Sequence, residues 1–221
     1  MTSPPSAAAT IRVETRAHYD RETIDSLLDE GLVAHVGLVA EDGRPVVVPM
    51  FYARRGDELL LHGSPATRLL RSMKRGVPIC VTVTHVDGLV LARSAFHHSM
   101  NFRSVVVFGV PRLLTGDEAV DALDSFMTHL IPGRLEQLRP MTRAEILGTS
   151  VVAVPIDEAS AKIRAGGPID DDEDLDEAVW AGVLPLSLTP GPPIPAADLR
   201  STPVPPDHVE SWTVHRNAPT T

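Results

Sequence analysis

Cysteine is almost missing from this chain, with Cys80 alone among 221 residues. One thiol makes no intrachain disulfide and excludes a cysteine-built zinc cluster. Cys80 lies inside the apolar run "VPICVTVTHV" and reads as a small buried hydrophobe. Aromatic residues are scarce at 4%, so the core must be assembled from Val, Leu, Ile and Ala. Positive charge is outnumbered, 20 Lys and Arg against 29 Asp and Glu, and no basic block occurs; nucleic acid and anionic membranes are poor partners for such a surface. No apolar run approaches the roughly 20 residues of a membrane helix. The opening "MTSPPSAAAT" has neither the basic nor the apolar region of a signal peptide. A cytoplasmic protein is predicted.

Several motifs are absent too. There is no Gly-rich loop of Walker or Rossmann type, no Gly-x-Ser-x-Gly elbow and no His-Glu-x-x-His helix. The acidic run "DDDEDLDE" (170–177) lacks the spaced Asp and Gly of an EF-hand and reads as a solvated loop or helix entry.

What is present is largely strand. "YDRETIDSLLDEGL" predicts a first helix, with Asp20 as N-cap, Ile24, Leu27 and Leu28 on one face, and Gly31 closing it. Beyond it the period changes from helical to alternating. "LVAHVGLVA", "PVVVPMFYA" and "ELLLHG" read as strands joined by the tight connections "EDGR" and "RRGD". "SPATRLLRSMKRG" predicts a short helix with Leu69, Leu70 and Met73 inward. "PICVTVTHV" and "LVLARSAF" predict a hairpin about Asp87-Gly88, and "FRSVVVFGVPRLL" a sixth strand. Two further helices carry capping-box spacing, Thr115 with Glu118 and Thr142 with Glu145, and "TSVVAVPI" is one more strand. The fold class is therefore mainly β with flanking helices, closed into a barrel that hides its edges. Residues 1–17 predict a disordered or extended N-terminal segment, 18–186 the barrel domain, and 187–221 a Pro-rich arm or tail.

Three stretches carry candidate chemistry. In "ELLLHGSPATRLLRSM" a strand ends at His62-Gly63-Ser64 and a helix begins near Thr67-Arg68. Free N–H groups, a hydroxyl and a guanidinium there suit a phosphate, although an ordinary capped helix has the same parts. Pro49 inside "PVVVPMFYA" marks an edge, a bulge or a missing ladder bond, and an unpaired backbone section there would face a planar ligand. In "SAFHHSMNFRSVVVFG" polar groups crowd one end of an apolar strand. Adjacent His97 and His98 diverge in an extended chain and no carboxylate joins them, which argues against a metal site.

In this order, "PVVVPMFY", "LHGSPATRLL", "AFHHSMNFRSVVVFG" and "VWAGVLPL" resemble the pyridoxamine 5′-phosphate oxidase-like family of flavin-binding split barrels, nearest its nitroimidazole-resistance-type branch. The resemblance runs from about His18 to about Leu186. It implies a six-stranded antiparallel split β-barrel, a homodimer, and FMN in a groove at the dimer interface; FAD, a deazaflavin or heme are the alternative cofactors. It implies that Val48, Pro49, Met50 and Phe51 lie along the isoalloxazine ring. His62, Gly63, Ser64, Thr67 and Arg68 would hold the phosphate end, and Ser99, Asn101, Arg103 and Ser104 would rim the groove. Trp180 would reach the flavin from the partner subunit. The segment "AGVLPLSLTP" lacks the Arg and His that grip pyridoxine phosphate in that family, and Leu69 stands where a lysine is expected. The activity implied is an FMN-dependent oxidoreductase acting on a small electrophile, with a flavin- or heme-sequestering module or a deazaflavin-dependent reductase as alternatives. Lys162 and Arg164, in "EASAKIRAGGP", read either as added positive charge near the groove or as a surface pair in a polar loop.

Overall fold

The structure is a computed structural model, described here for residues 9–200 and 204–213. The first eight residues of the expected N-terminal segment, and 201–203 and 214–221 of the Pro-rich arm, lie outside the described residues.

Ten strands are found among the described residues, all paired antiparallel: β1 Ala17–His18, β2 Val33–Val39, β3 Pro45–Arg55, β4 Glu58–Gly63, β5 Ile79–Leu91, β6 Ser99–Gly109, β7 Arg112–Leu113, β8 Ser150–Pro155, β9 Glu158–Arg164 and β10 Gly182–Pro185. Their order is β1-β9-β6-β5-β2-β3-β4-β8-β7, with β10 on β5. The helices are α1 Arg21–Glu30, α2 Arg68–Lys74, α3 Asp117–Leu130, α4 Arg143–Leu147 and α5 Asp207–Glu210. None is long and apolar enough to cross a membrane, among the described residues. This is the expected mainly β, antiparallel split-barrel class with flanking helices.

Strand β3 makes the split. Its first part, Pro45 to Phe51, pairs only with β2, and its last part, Tyr52 to Arg55, pairs with β4. The two sheets sharing it close on one core: Val36, Val81 and Val105 from one meet Leu59, Leu61 and Val154 from the other. A second core lies outside β4 and β8, where Leu60, Val151 and Ala153 pack on Ala122 and Phe126 of α3. Burial on both faces explains why "ELLL" and "VVAV" are unbroken apolar runs rather than alternating ones.

Four details depart from expectation, each for a local reason. Asp87-Gly88 is not a hairpin turn. β5 runs through it with a bulge between Val86 and Gly88, because Leu89 and Val90 continue to pair with β6 and with β10. Of the two readings open for Lys162 and Arg164, the polar loop does not hold: "EASAKIR" is β9, paired along Phe102 to Phe108 of β6. Thr115 does not cap α3: its N-cap is Gly116 at φ 60°, and Glu118 bonds Arg112 instead. Gly31 follows α1 at φ −78°, an ordinary value, so it is needed for space: a Cβ there would stand 2.3 Å from the Tyr52 hydroxyl and 2.5 Å from a Val83 methyl. The Asp20 cap and the Thr142–Glu145 capping box are formed as expected.

Candidate functional site

Where β3 parts from β4, a groove of about 540 Å³ opens. Its walls are Val46 and Val48 to Phe51 from the half of β3 that pairs only with β2, His62 and Gly63 from the end of β4, and Thr67 to Leu70 at the start of α2. Pro49 sits opposite His35 of β2 and has no strand on its other side, so its missing N–H removes no bond there. Gly63 serves packing at the groove floor: a Cβ on it would come within 2.9 Å of the Leu70 side chain, which folds α2 back onto β4.

The groove therefore gathers eight of the expected residues, namely Val48, Pro49, Met50, Phe51, His62, Gly63, Thr67 and Arg68. Ser64 adjoins them, accepting from Thr67 through its carbonyl at 3.1 Å. The Thr67 hydroxyl also accepts from the Leu70 N–H at 3.3 Å, as the α2 cap. Arg68 is exposed and makes no ion pair among the described residues, leaving its guanidinium available to an anion. Since α2 has only 7 residues, the charge for a phosphate must come from Arg68 rather than from a helix macrodipole. His62 is half-buried against Phe126, with ring centroids 4.4 Å apart, and Phe51 stands beyond it. Burial holds its imidazole below the ordinary value, so the ring is neutral at pH 7, and its buried Nδ1 has no hydrogen-bond partner.

The remaining expected residues lie elsewhere, on the β5–β6 side of the barrel. Arg103 is buried and held by two carboxylates. It donates twice to Glu30 at 2.5 and 2.8 Å and twice to Asp87 at 2.9 Å. The Asp87 bulge in β5 aims that carboxylate at it. These charges hold the Arg103 guanidinium well above its ordinary pKa. With His35 and His85 they line a separate pocket of about 300 Å³. Asn101 is likewise engaged, bonded by Arg164 and donating to the Gly166 carbonyl at 3.1 Å, so Arg164 secures a turn. Ser104 reaches the Lys162 carbonyl at 3.5 Å, and Lys162 lies 5.6 Å over the Phe102 ring. Ser99 is exposed at the start of β6. Trp180 is exposed too, with its ring against Gly182.

His97 and His98 diverge, but not in a strand: Ala95–His97 form a 3-10 turn ahead of β6, and a carboxylate does join one of them. His97 Nε2 bonds Asp171 at 3.0 Å, and His98 Nδ1 faces the Ser94 carbonyl at 2.8 Å. The acidic run begins tethered, since Asp170 accepts from both the backbone and the guanidinium of Arg93 at 2.8 Å. Cys80 is half-buried, and burial pushes its thiol up.

Sequence reasoning missed Glu30, Asp87 and His85. Glu30 ends an amphipathic helix and looks like a solvated charge. Its burial is set by Arg103, 73 positions away, which local pattern cannot reveal. A second cavity was also missed. It holds about 640 Å³ beneath α3 and the turn that follows it, and shares Phe51 and His62 with the groove.

The family described as Pyridoxamine 5'-phosphate oxidase matches residues 20–163. Among solved structures, the flavocytochrome Anf3 from Azotobacter vinelandii is 40% identical, with a TM-score of 0.86 over 93% of this chain and 96% of its own. The FAD and heme binding protein from Mycobacterium smegmatis is 41% identical, with a TM-score of 0.84 over 88% of this chain and 95% of its own. A putative 5-nitroimidazole antibiotic resistance protein from Bacteroides thetaiotaomicron is 24% identical at a TM-score of 0.58, over 66% of this chain and 86% of its own. The nitroimidazole-resistance branch is thus a more distant likeness than the two flavin and heme proteins. No curated protein matches the chain.

Proposed function

This chain belongs to the pyridoxamine 5′-phosphate oxidase family, and on that premise we propose that it is a redox protein holding FAD in the groove between β3 and α2. The observation that carries the reading is the half of β3 with one open edge facing Thr67 and the free guanidinium of Arg68 across that groove. An isoalloxazine ring needs an apolar wall and backbone polar groups along its edge, which Val46 and Val48 to Phe51 offer. A diphosphate needs a planar cation, which Arg68 offers. The cofactor supplies the electron chemistry, while the protein positions it and excludes water. The likeness at 41% identity to a protein named for FAD favours FAD over the FMN that the family resemblance alone suggested.

The same likeness favours a second cofactor, heme, over a simple flavin oxidoreductase working on a small electrophile. The alternative reading made from sequence, a flavin- or heme-binding module, is thus favoured over the main one, with both cofactors proposed together. A homodimer is part of the proposal. Val33, Val39 and Val47 leave an apolar outer face on β2 and β3, and a second copy would bring an exposed Trp180 to a groove that its own chain leaves open.

The experiment is the absorbance spectrum of the purified protein, with mass analysis of whatever flavin it releases. FAD is expected. A colourless protein that takes up no flavin on titration would refute the reading. Arg68→Ala should weaken FAD binding by about tenfold or more, as expected for one lost charge-assisted contact of roughly 1.5–3 kcal/mol, with the thermal transition unchanged. Unaltered affinity would remove Arg68 from the site.

A further inference from the structure

We infer that the cavity beneath α3 would house a heme and that His62 would be the residue that ligates its iron. This rests on the flavin and heme reading above and names the site within it.

Size and lining agree with that occupant. At about 640 Å³ the chamber falls within the roughly 300–1,000 Å³ of cofactor pockets. Its lining is apolar except for His62, Asp124 and Arg139. An apolar wall suits a porphyrin face, and a single imidazole in it suits the iron. Arg139 supplies a cation for the propionates. It is now held by Glu145 at 2.6 and 2.9 Å, but both side chains are largely exposed and can exchange partners with water. Asp124 works against the propionates, so the Arg139 end is the one that would carry them.

His62 itself is the independent observation. Neither ring nitrogen makes a hydrogen bond among the described residues, and Nδ1 is buried, so packing alone holds the ring and its Nε2 lone pair is uncommitted where His62 lines the chamber. The other histidines near α3 and α1 are committed: His129 Nε2 to the Gly31 carbonyl at 2.8 Å and His85 Nε2 to the Leu27 carbonyl at 3.0 Å. The position of His62 adds a consequence. With Phe51 it forms the wall common to chamber and groove, so heme and flavin would lie on either side of one layer of side chains. Leu130, one of the lining residues, also accepts from Trp212 Nε1 through its carbonyl at 2.8 Å.

The test titrates hemin into the purified, FAD-loaded protein and follows the Soret band alongside flavin emission. Wild type should bind one hemin per chain and lose flavin emission as it does so. His62→Ala should shift the Soret maximum and weaken binding by at least about tenfold. Added imidazole should restore the wild-type band, which a merely structural role for His62 would not allow. Leu130→Trp, which fills the chamber from α3 without touching the groove, should abolish hemin uptake while FAD stays bound. A wild-type Soret maximum in His62→Ala, or full uptake by Leu130→Trp, would overturn the assignment. FAD binding with no hemin uptake by wild type would overturn it while leaving the flavin reading intact. Failure to bind either cofactor would remove the reading beneath it.

Discussion

Arg103 looks from sequence like a cofactor ligand, and its surroundings argue that it is a structural ion instead. Four of its guanidinium hydrogen bonds go to Glu30 and Asp87, and the Glu30 side chain is only 2% exposed. Arg103→Met would leave Glu30 buried with His85 Nδ1, 3.9 Å away, as its nearest cationic candidate. Stranding one member of a buried pair costs about 3–5 kcal/mol. Asp87 is 30% exposed, so water replaces much of its contact, and Asp87→Asn should cost no more than about 1 kcal/mol. The double variant Glu30→Met with Arg103→Met removes both buried charges, and a well-packed apolar replacement is often neutral. It should therefore lie well above Arg103→Met in stability, with a coupling energy of about 2–3 kcal/mol. Urea unfolding at pH 7 with matched m-values measures all three. FAD affinity of Arg103→Met, measured well below its denaturation midpoint, should equal that of wild type. Strictly additive single and double variants would refute the buried-pair argument. A loss of FAD affinity larger than the loss of stability would return Arg103 to the cofactor site.

Gly31→Ala should destabilise the fold by about 1–3 kcal/mol, because its Cβ would strike the fully buried Tyr52, whose hydroxyl donates to the Leu28 carbonyl at 2.5 Å; an unchanged Tm would show that this contact can relax. The Glu145 carboxyl is lowered from 4.5 to about 2, first by Arg139 and then by the Thr142 backbone and hydroxyl. Its folded pKa is depressed, so its contribution to α4 is present above pH 4.5 and is lost as pH falls through about 2. An NMR titration of the Glu145 carboxyl reads this directly, and an apparent pKa near 4.5 would contradict the box. Val47 is 66% exposed on the apolar outer face of β3, and Val47→Lys should convert a dimer to a monomer in gel filtration and weaken FAD retention; a wild-type chain that elutes as a monomer would refute the dimeric site.

The fold was legible where local pattern and tertiary environment agree. Asp20 and the Thr142–Glu145 pair cap helices because their partners are three residues away. The runs "ELLL" and "VVAV" read as strands because two cores bury both their faces. Asp-Gly failed as a signal at 87–88, because the dipeptide suits a bulge as well as a turn, and only the pairing of Leu89 and Val90 decides between them. "EASAKIR" failed because its polar residues satisfy partners remote in sequence: Arg164 holds Asn101 and the carbonyls of Gly166 and Gly167. Thr115 failed because Arg112 competes for Glu118 with a charge.

The candidate site divides along the same line. The half built from consecutive residues, Val48 to Phe51 and His62 to Arg68, was visible because one strand and one strand–helix turn present it. The half taken from "SAFHHSMNFRSV" was grouped with it by polarity, and polarity does not distinguish a ligand from an ion locked into the barrel. Asn101 and Arg103 are buried and answered by their own chain, whereas Ser99 and Trp180 are exposed. Only the exposed pair can meet a cofactor held by another copy. His62 is a mixed case: sequence places it at the phosphate end of the groove, while its second role depends on α3, which begins 55 positions later and lines the other cavity. If the two cavities hold the cofactors proposed, the residues that add the second to the first are those of α3 and the turn after it, not those of the barrel.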